Sequence, residues 1–342
     1  MNKIFAAIIF MFVFAFFADA RYIENVMSDE EIMSKINEMS VKLEGAKNKK
    51  EQTEFYEEFA RMFFLSGAYD AATNIYKRLL ESNPPKKKKA EYYIKLGDIE
   101  AEKKSYNTSL DYYNSALALY KKNNDIKKKI GDMFLESNLY GLAEQSFKDI
   151  LANDKNSDYA KRKLGDIYYS RTIYSKALEY YESINRTYYD KELIIRMAAG
   201  YKSLNNLDKA VQLVNDYINI NPDSDLYLLL GSLYSGLGKL EEAKEQYLIS
   251  ISIDPSNFSS YVYLAAIYLD DGDIQKAEEM LDKANLINSY TAAVDMMYAR
   301  IAYKKGRLYE ARRYAANAVL KSKTPFVKQQ AQRMQDYFNK EK

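Results

Sequence analysis

The chain has 342 residues, 50 Lys and Arg against 48 Asp and Glu, and neither Cys nor His. That excludes Ser–His–Asp and Cys–His nucleophile arrangements, the usual zinc ligand sets, disulfides and lipid attachment through an N-terminal cysteine. Tyr supplies 33 residues, and Lys, Asn and Ile are abundant, the bias of an AT-rich bacterial genome; 47% hydrophobic and 29% charged is otherwise an ordinary soluble composition.

In chain order, Asn2 and Lys3 precede an apolar run from Ile4 to Ala18, and Ala18-Asp19-Ala20 is a small-x-small cleavage signal. Residues 1–20 are therefore expected to be a secretory signal peptide, with the mature chain starting near Arg21. The run of 15 residues is short beside the roughly 20 that span a bilayer, which favours cleavage over an uncleaved anchor. The expected location is the periplasm or envelope. Residues 21–52 read as a helical cap and linker. Ser28 is an N-cap with Glu31 three later, and Ile32, Ile36, Met39 and Leu43 form one stripe over 28–44.

A pattern then recurs eight times between residues 53 and 325. Its small-residue anchors are Ala60, Gly97, Gly131, Gly165, Ala198, Gly231, Ala265 and Ala299, spaced 37, 34, 34, 33, 33, 34 and 34. A second small residue follows each anchor by 12: Ala72, Ser109, Ala143, Ala177, Ala210, Ala243, Ala277 and Ala311. In the sixth copy Tyr227, Leu230, Gly231 and Tyr234 fall on one helix face, and Ala243, Tyr247 and Ser250 do so on a second helix. The period predicts stacked helix pairs starting near 53, 90, 124, 158, 191, 224, 258 and 292. One pair cannot bury its own apolar face, so neighbours stack.

Other segments read as structure. Lys86-Lys87-Lys88-Lys89 follows Pro84-Pro85 and is expected to be a solvated extended loop. Asp270, Asp271 and Asp273 around Gly272 read as a helix end and turn, since a twelve-residue calcium loop is lacking. There is no Gly-rich phosphate loop. Residues 326–342 are expected to be a capping helix with Phe326, Ala331, Met334 and Phe338 inward. The mature chain is expected to be one elongated structure without a second domain.

The repeat resembles the tetratricopeptide repeat (TPR) family over roughly residues 53–325. Loop prolines Pro84, Pro222, Pro255 and Pro325 match; Lys127 and Lys161 depart from the pattern, and Tyr stands where Trp is usual. The resemblance implies an all-α fold: a right-handed α-solenoid of about eight helix pairs with N- and C-terminal capping helices. It also implies a concave groove lined by the second, fifth, ninth, twelfth and thirteenth positions of each first helix. Carried over, the groove has an acidic half: Asp98, Asp132 and Asp166, with Glu102 and Glu136, and Glu91, Asp125, Lys128 and Arg162 nearby. Its other half is apolar or small: Ile195, Ala199, Leu228, Ser232, Val262, Ala266, Leu269 and Met296. These are expected to be free of the helix-pair core and to take a partner helix or extended segment, unless the superhelix closes or the terminal helix covers them. No copy carries the family's carboxylate clamp: the relevant pairs are Glu57/Arg61, Ile94/Asp98 and Lys128/Asp132.

Charge is blocky, with net −3 over 1–84, +6 over 85–131, −10 over 132–299 and +9 over 300–342. A basic patch is expected at Arg300, Lys304, Arg307, Arg312 and Arg313, facing either a second copy's acidic middle, an anionic envelope surface, or water. The expected function is a non-enzymatic protein-binding scaffold of the envelope, with a self-assembling envelope subunit as the alternative. No cofactor, metal, nucleic acid or small-molecule substrate is expected.

Overall fold

The computed structural model describes residues 48–341. The expected signal peptide and the helix expected over 28–44 lie outside the described residues. Contacts divide the chain into two compact units between Leu164 and Gly165.

The first unit holds α1 (Lys49–Leu65), α2 (Tyr69–Glu81), α3 (Lys86–Glu102), α4 (Tyr106–Leu119), α5 (Asn124–Glu136) and α6 (Tyr140–Asn153), and the division falls within α7 (Asp158–Ser170). The second continues with α8 (Tyr174–Glu182), α9 (Lys191–Ser203), α10 (Leu207–Ile218), α11 (Ser224–Gly236), α12 (Leu240–Ile253), α13 (Phe258–Asp270) and α14 (Ile274–Ile287). It ends in α15 (Ala292–Lys304), α16 (Leu308–Lys321) and α17 (Pro325–Lys340). The described residues form no strand. Odd-numbered helices through α15 are the first helices of the repeats, so each unit is a run of all-α solenoid.

Size complementarity between the two helices of a copy holds each pair together. The second helix places a side chain against the anchor from 16 residues on. Where the anchor is Gly, that side chain is an aromatic ring: Tyr113, Phe147, Tyr181 or Tyr247. A Cβ added at Gly97 would stand 2.6 Å from Tyr113, and one at Gly131 would stand 2.7 Å from Phe147. Ala198, Ala265 and Ala299 instead face the smaller Val214, Leu281 and Ala315 within shared core clusters. Ala60 with Tyr76 is the exception. A large ring over glycine and a smaller side chain over alanine are what a close-packed helix crossing favours.

The turn inside every copy uses one left-handed residue: Gly67, Lys104, Asn138, Thr172, Asn205, Gly238, Gly272 and Gly306. Each stands just past the end of a first helix, the place where a positive φ turns the chain back. Six of the described first helices are started by a side-chain cap, whereas α3 follows Pro85 without one. Asn48 accepts from the Glu51 amide at 3.0 Å, and Asp190 from the Leu193 amide at 2.8 Å. A buried hydroxyl cluster joins α11, α12 and α13: Ser250 Oγ lies 3.0 Å from Ser224 Oγ and 2.7 Å from Ser260 Oγ, and Asn257 donates to Ser224 at 2.8 Å.

Two local expectations are corrected. Lys86–Lys89 is not an extended loop but the first turn of α3. α1 and α3 have 17 residues where most other first helices have 13, so the long 37-residue spacing is absorbed as one added helical turn. Phe326 is not inward. The buried face of α17 runs Val327, Ala331, Met334 and Phe338, and Phe326 falls one position off that stripe.

Candidate functional site

In the first unit the expected row of carboxylates is present but already occupied. Asp98 accepts a hydrogen bond from the Tyr113 hydroxyl at 2.9 Å and pairs with Lys129 at 2.9 Å. Its side chain is only 13% exposed. Asp132 pairs with Lys163 at 3.2 Å and accepts from the Tyr159 hydroxyl. In the second unit Asp166 accepts from the Tyr181 hydroxyl at 2.7 Å and pairs with Arg196. One packing rule explains all three. The ring under the glycine anchor points its hydroxyl at the residue beside that anchor. Phe147 has no hydroxyl, so Tyr159 replaces it. The cation in each case stands two residues before the next anchor. Burial, then the Asp98 charge, pushes the Tyr113 phenol well above its usual range. Asp166 adds to burial for Tyr181 in the same sense.

The neighbouring groups are mostly spent too. Glu91 pairs with Lys88 at 3.4 Å, and Asp125 with Lys128 at 3.2 Å. Lys128 also stands 5.3 Å from the centre of the Tyr159 ring. Glu102 and Glu136 remain exposed at the ends of α3 and α5. The reading of Asp98, Asp132 and Asp166 as free carboxylates for a partner is therefore corrected: they join adjacent first helices.

The apolar row lies in the second unit. Ile195, Leu228, Val262 and Met296 each stand three residues before an anchor, on α9, α11, α13 and α15. Ile195 is exposed and the other three are half-buried. Ala199, Ser232 and Ala266 are half-buried beside them. They are not independent of the core as expected. Leu228 packs on the cluster of Tyr247 and Leu264, Val262 on that of Leu281 and Val294, and Met296 on that of Ala318 and Ala331. Leu269 is a full correction. It is completely buried among Tyr261, Ala265 and Leu281, because it falls one turn after Ala265 on the inward face. Tyr263, unmarked in the sequence, is exposed next to Val262 and stacks on Tyr247 at 5.7 Å. Its signal was a second aromatic in the Tyr261-Val262-Tyr263 run of a helix needing only one inward face.

The expected basic patch is spent within its own unit. Arg300 pairs with Asp270 at 2.6 Å, and Arg307 with Glu310 at 3.6 Å. Lys304 donates to the Leu269 carbonyl at 2.7 Å, near the end of α13. Arg312 donates to the Phe338 carbonyl at 2.9 Å and the Glu341 carbonyl at 2.7 Å, closing α17. Arg313 lies 5.1 Å from the centre of the Tyr314 ring. Cations at helix C-termini satisfy orphan carbonyls and the dipole. The triplet at the α13–α14 turn is likewise consumed: Asp270 by Arg300, Asp271 by Lys244, and Asp273 as the cap of α14. Among the described residues no helix is long and apolar enough to cross a membrane.

Comparison with known proteins agrees with this geometry. Three tetratricopeptide repeat models match residues 59–124, 224–257 and 247–279. The uncharacterized protein ycf37 of Pyropia yezoensis is 30% identical over 107 residues, 31% of this chain and 54% of that protein. The BBSome complex member BBS4 of Bos taurus is 29% identical over 106 residues, 31% of this chain and 20% of that one. The matches thus span about half or less of these relatives. The crystal structure of MamA protein is 23% identical, with a TM-score of 0.45, covering 48% of this chain and 92% of that chain. The helix pairs within residues 59–124 and 224–279 thus match tetratricopeptide repeats.

Proposed function

We propose that this tetratricopeptide-repeat protein is a non-enzymatic interaction scaffold of a bacterial periplasm or envelope. It holds a segment of a partner protein along the first helices of its second unit. Repeats of this kind generally act as binding scaffolds rather than catalysts. The row of Ile195, Leu228, Val262 and Met296 carries the reading. It offers an apolar side chain at each repeat, with Ala199, Ser232 and Ala266 leaving room for a close backbone. Half-buried side chains are held in place before a partner arrives, so little ordering is left to pay for in binding. A helix or extended strand with apolar side chains on one face fits such a row. Export is supported by the apolar run from Ile4 to Ala18 and the Ala18-Asp19-Ala20 signal.

The alternative, self-assembly of an acidic middle with a basic tail, has less behind it, because Arg300, Lys304, Arg307 and Arg312 already have partners in their own unit. Leu228→Asp and Val262→Asp in the full chain test the scaffold reading. Partner proteins recovered from the native envelope fraction should be lost while helicity is kept. Unchanged recovery by a folded variant sinks the reading.

A further inference from the structure

The turns flanking α15 and α16 gather side chains that a packed core would normally claim. Leu286 is 87% exposed, Leu320 81%, Phe326 67% and Tyr290 65%. Lys321, next to Leu320, ties the end of α16 to the turn between α14 and α15. Its amine pairs with buried Asp295 at 2.7 Å, donates to the Ser289 carbonyl at 3.1 Å, and lies 5.5 Å from the centre of the Tyr290 ring. The end of α16 is thereby pinned beside the turn that carries Tyr290. Lys323 and Lys328 flank Phe326 and are exposed. Among the described residues neither is in an ion pair, and the segment 300–342 has net charge +9.

Single apolar side chains scattered over a surface are ordinary, whereas a set on adjoining turns with free lysines is not. The tips stand clear of their neighbours, so they form no walled pocket of the kind that anchors a protein hot spot. A fluid interface accepts projecting Leu, Phe and Tyr without matching their shape, and anionic headgroups attract the lysines. We propose that Leu286, Tyr290, Leu320 and Phe326, with Lys323 and Lys328, dock on the headgroup region of an anionic bilayer. The site shares no residue with the helical row assigned to partner proteins, or with the spent cations of α15 and α16.

The chain has no cysteine, so Leu320→Cys gives a unique position for an environment-sensitive fluorophore. Vesicles of phosphatidylglycerol and phosphatidylcholine in equal parts should shift its emission to the blue, and phosphatidylcholine alone should not. The same label at exposed Gln275, at the other end of α14, should not respond. Replacing both lysines, Lys323→Gln and Lys328→Gln, should weaken vesicle binding about tenfold or more at low salt. A label at position 320 that stays in water on vesicle-bound protein overturns the proposal, whichever other segment holds the protein there. Protein that ignores both kinds of vesicle overturns it as well. So does a label already shielded without vesicles, which would put a second copy of the chain on these turns.

Discussion

Lys129 of α5 pairs with Asp98 of α3 at 2.9 Å, 31 residues back in sequence. The same carboxylate takes the Tyr113 hydroxyl emerging from beneath Gly97. Two consecutive copies are thus joined through a residue that, on its helix alone, looks like a free acid. Asp98→Ala strips the partner from a buried phenol and an ammonium at once. It should cost about 2 kcal/mol by denaturant titration. Glu102→Gln, exposed on the same helix, should stay within about 0.5 kcal/mol. Equal effects would contradict the joining role.

Gly131 and Phe147 share one volume. Gly131→Ala alone should destabilise by about 1–3 kcal/mol, because the ring has nowhere to go. Phe147→Leu alone leaves a void and costs a similar amount. Combined, they recreate the Ala265–Leu281 pair already present in the seventh copy. The double variant should be more stable than the sum of the single effects allows, with a favourable coupling of about 1 kcal/mol or more. Strict additivity would show that the two sites do not share space.

Thr172 occupies the left-handed turn position at φ 59°. A β-branched residue is strained there, and glycine is not. Thr172→Gly should raise stability by about 1 kcal/mol, against the usual penalty for glycine. Gly306→Ala should lower it by a similar amount, although an added Cβ there meets nothing within 4 Å. The cost is purely conformational. Thermal melts of both variants decide the matter.

The buried tyrosines set the alkaline limit. Burial, then the charges of Glu57 and Asp98, pushes the Tyr76 phenol up to about 12, and Tyr113 and Tyr181 are raised in the same direction. A free tyrosine loses its proton near pH 10. Between that pH and the folded value, the unfolded chain binds fewer protons than the folded one, so stability falls as pH rises. The tyrosine contribution should be fully present below about pH 9 and erode progressively above pH 10. Urea midpoints across that range, with Tyr113→Phe as a less alkali-sensitive control, measure it.

The period, the anchors and the helix pairs were legible because a small residue under a large one must recur wherever two helices cross closely. The fate of the charges was not. Asp98, Asp132 and Asp166 were read along their own helices, whereas Lys129, Lys163 and Arg196 reach them from the next first helix. The signal was there, an acid just after one anchor and a cation two residues before the next. It becomes visible only when copies are laid side by side. Leu269 and Phe326 were each misplaced by a helical face, Leu269 because a repeat position stood in for the local 3.6-residue period. Val327, one residue on from Phe326, completes the buried stripe.

The most direct test of the scaffold is a photoreactive residue at position 195, the exposed member of the apolar row, crosslinked in cells and followed by mass spectrometry of the adducts. A discrete adduct with another protein, lost when Val262 is changed to Asp, is the predicted result. Adducts only with this same chain, or none in a folded protein, would contradict it.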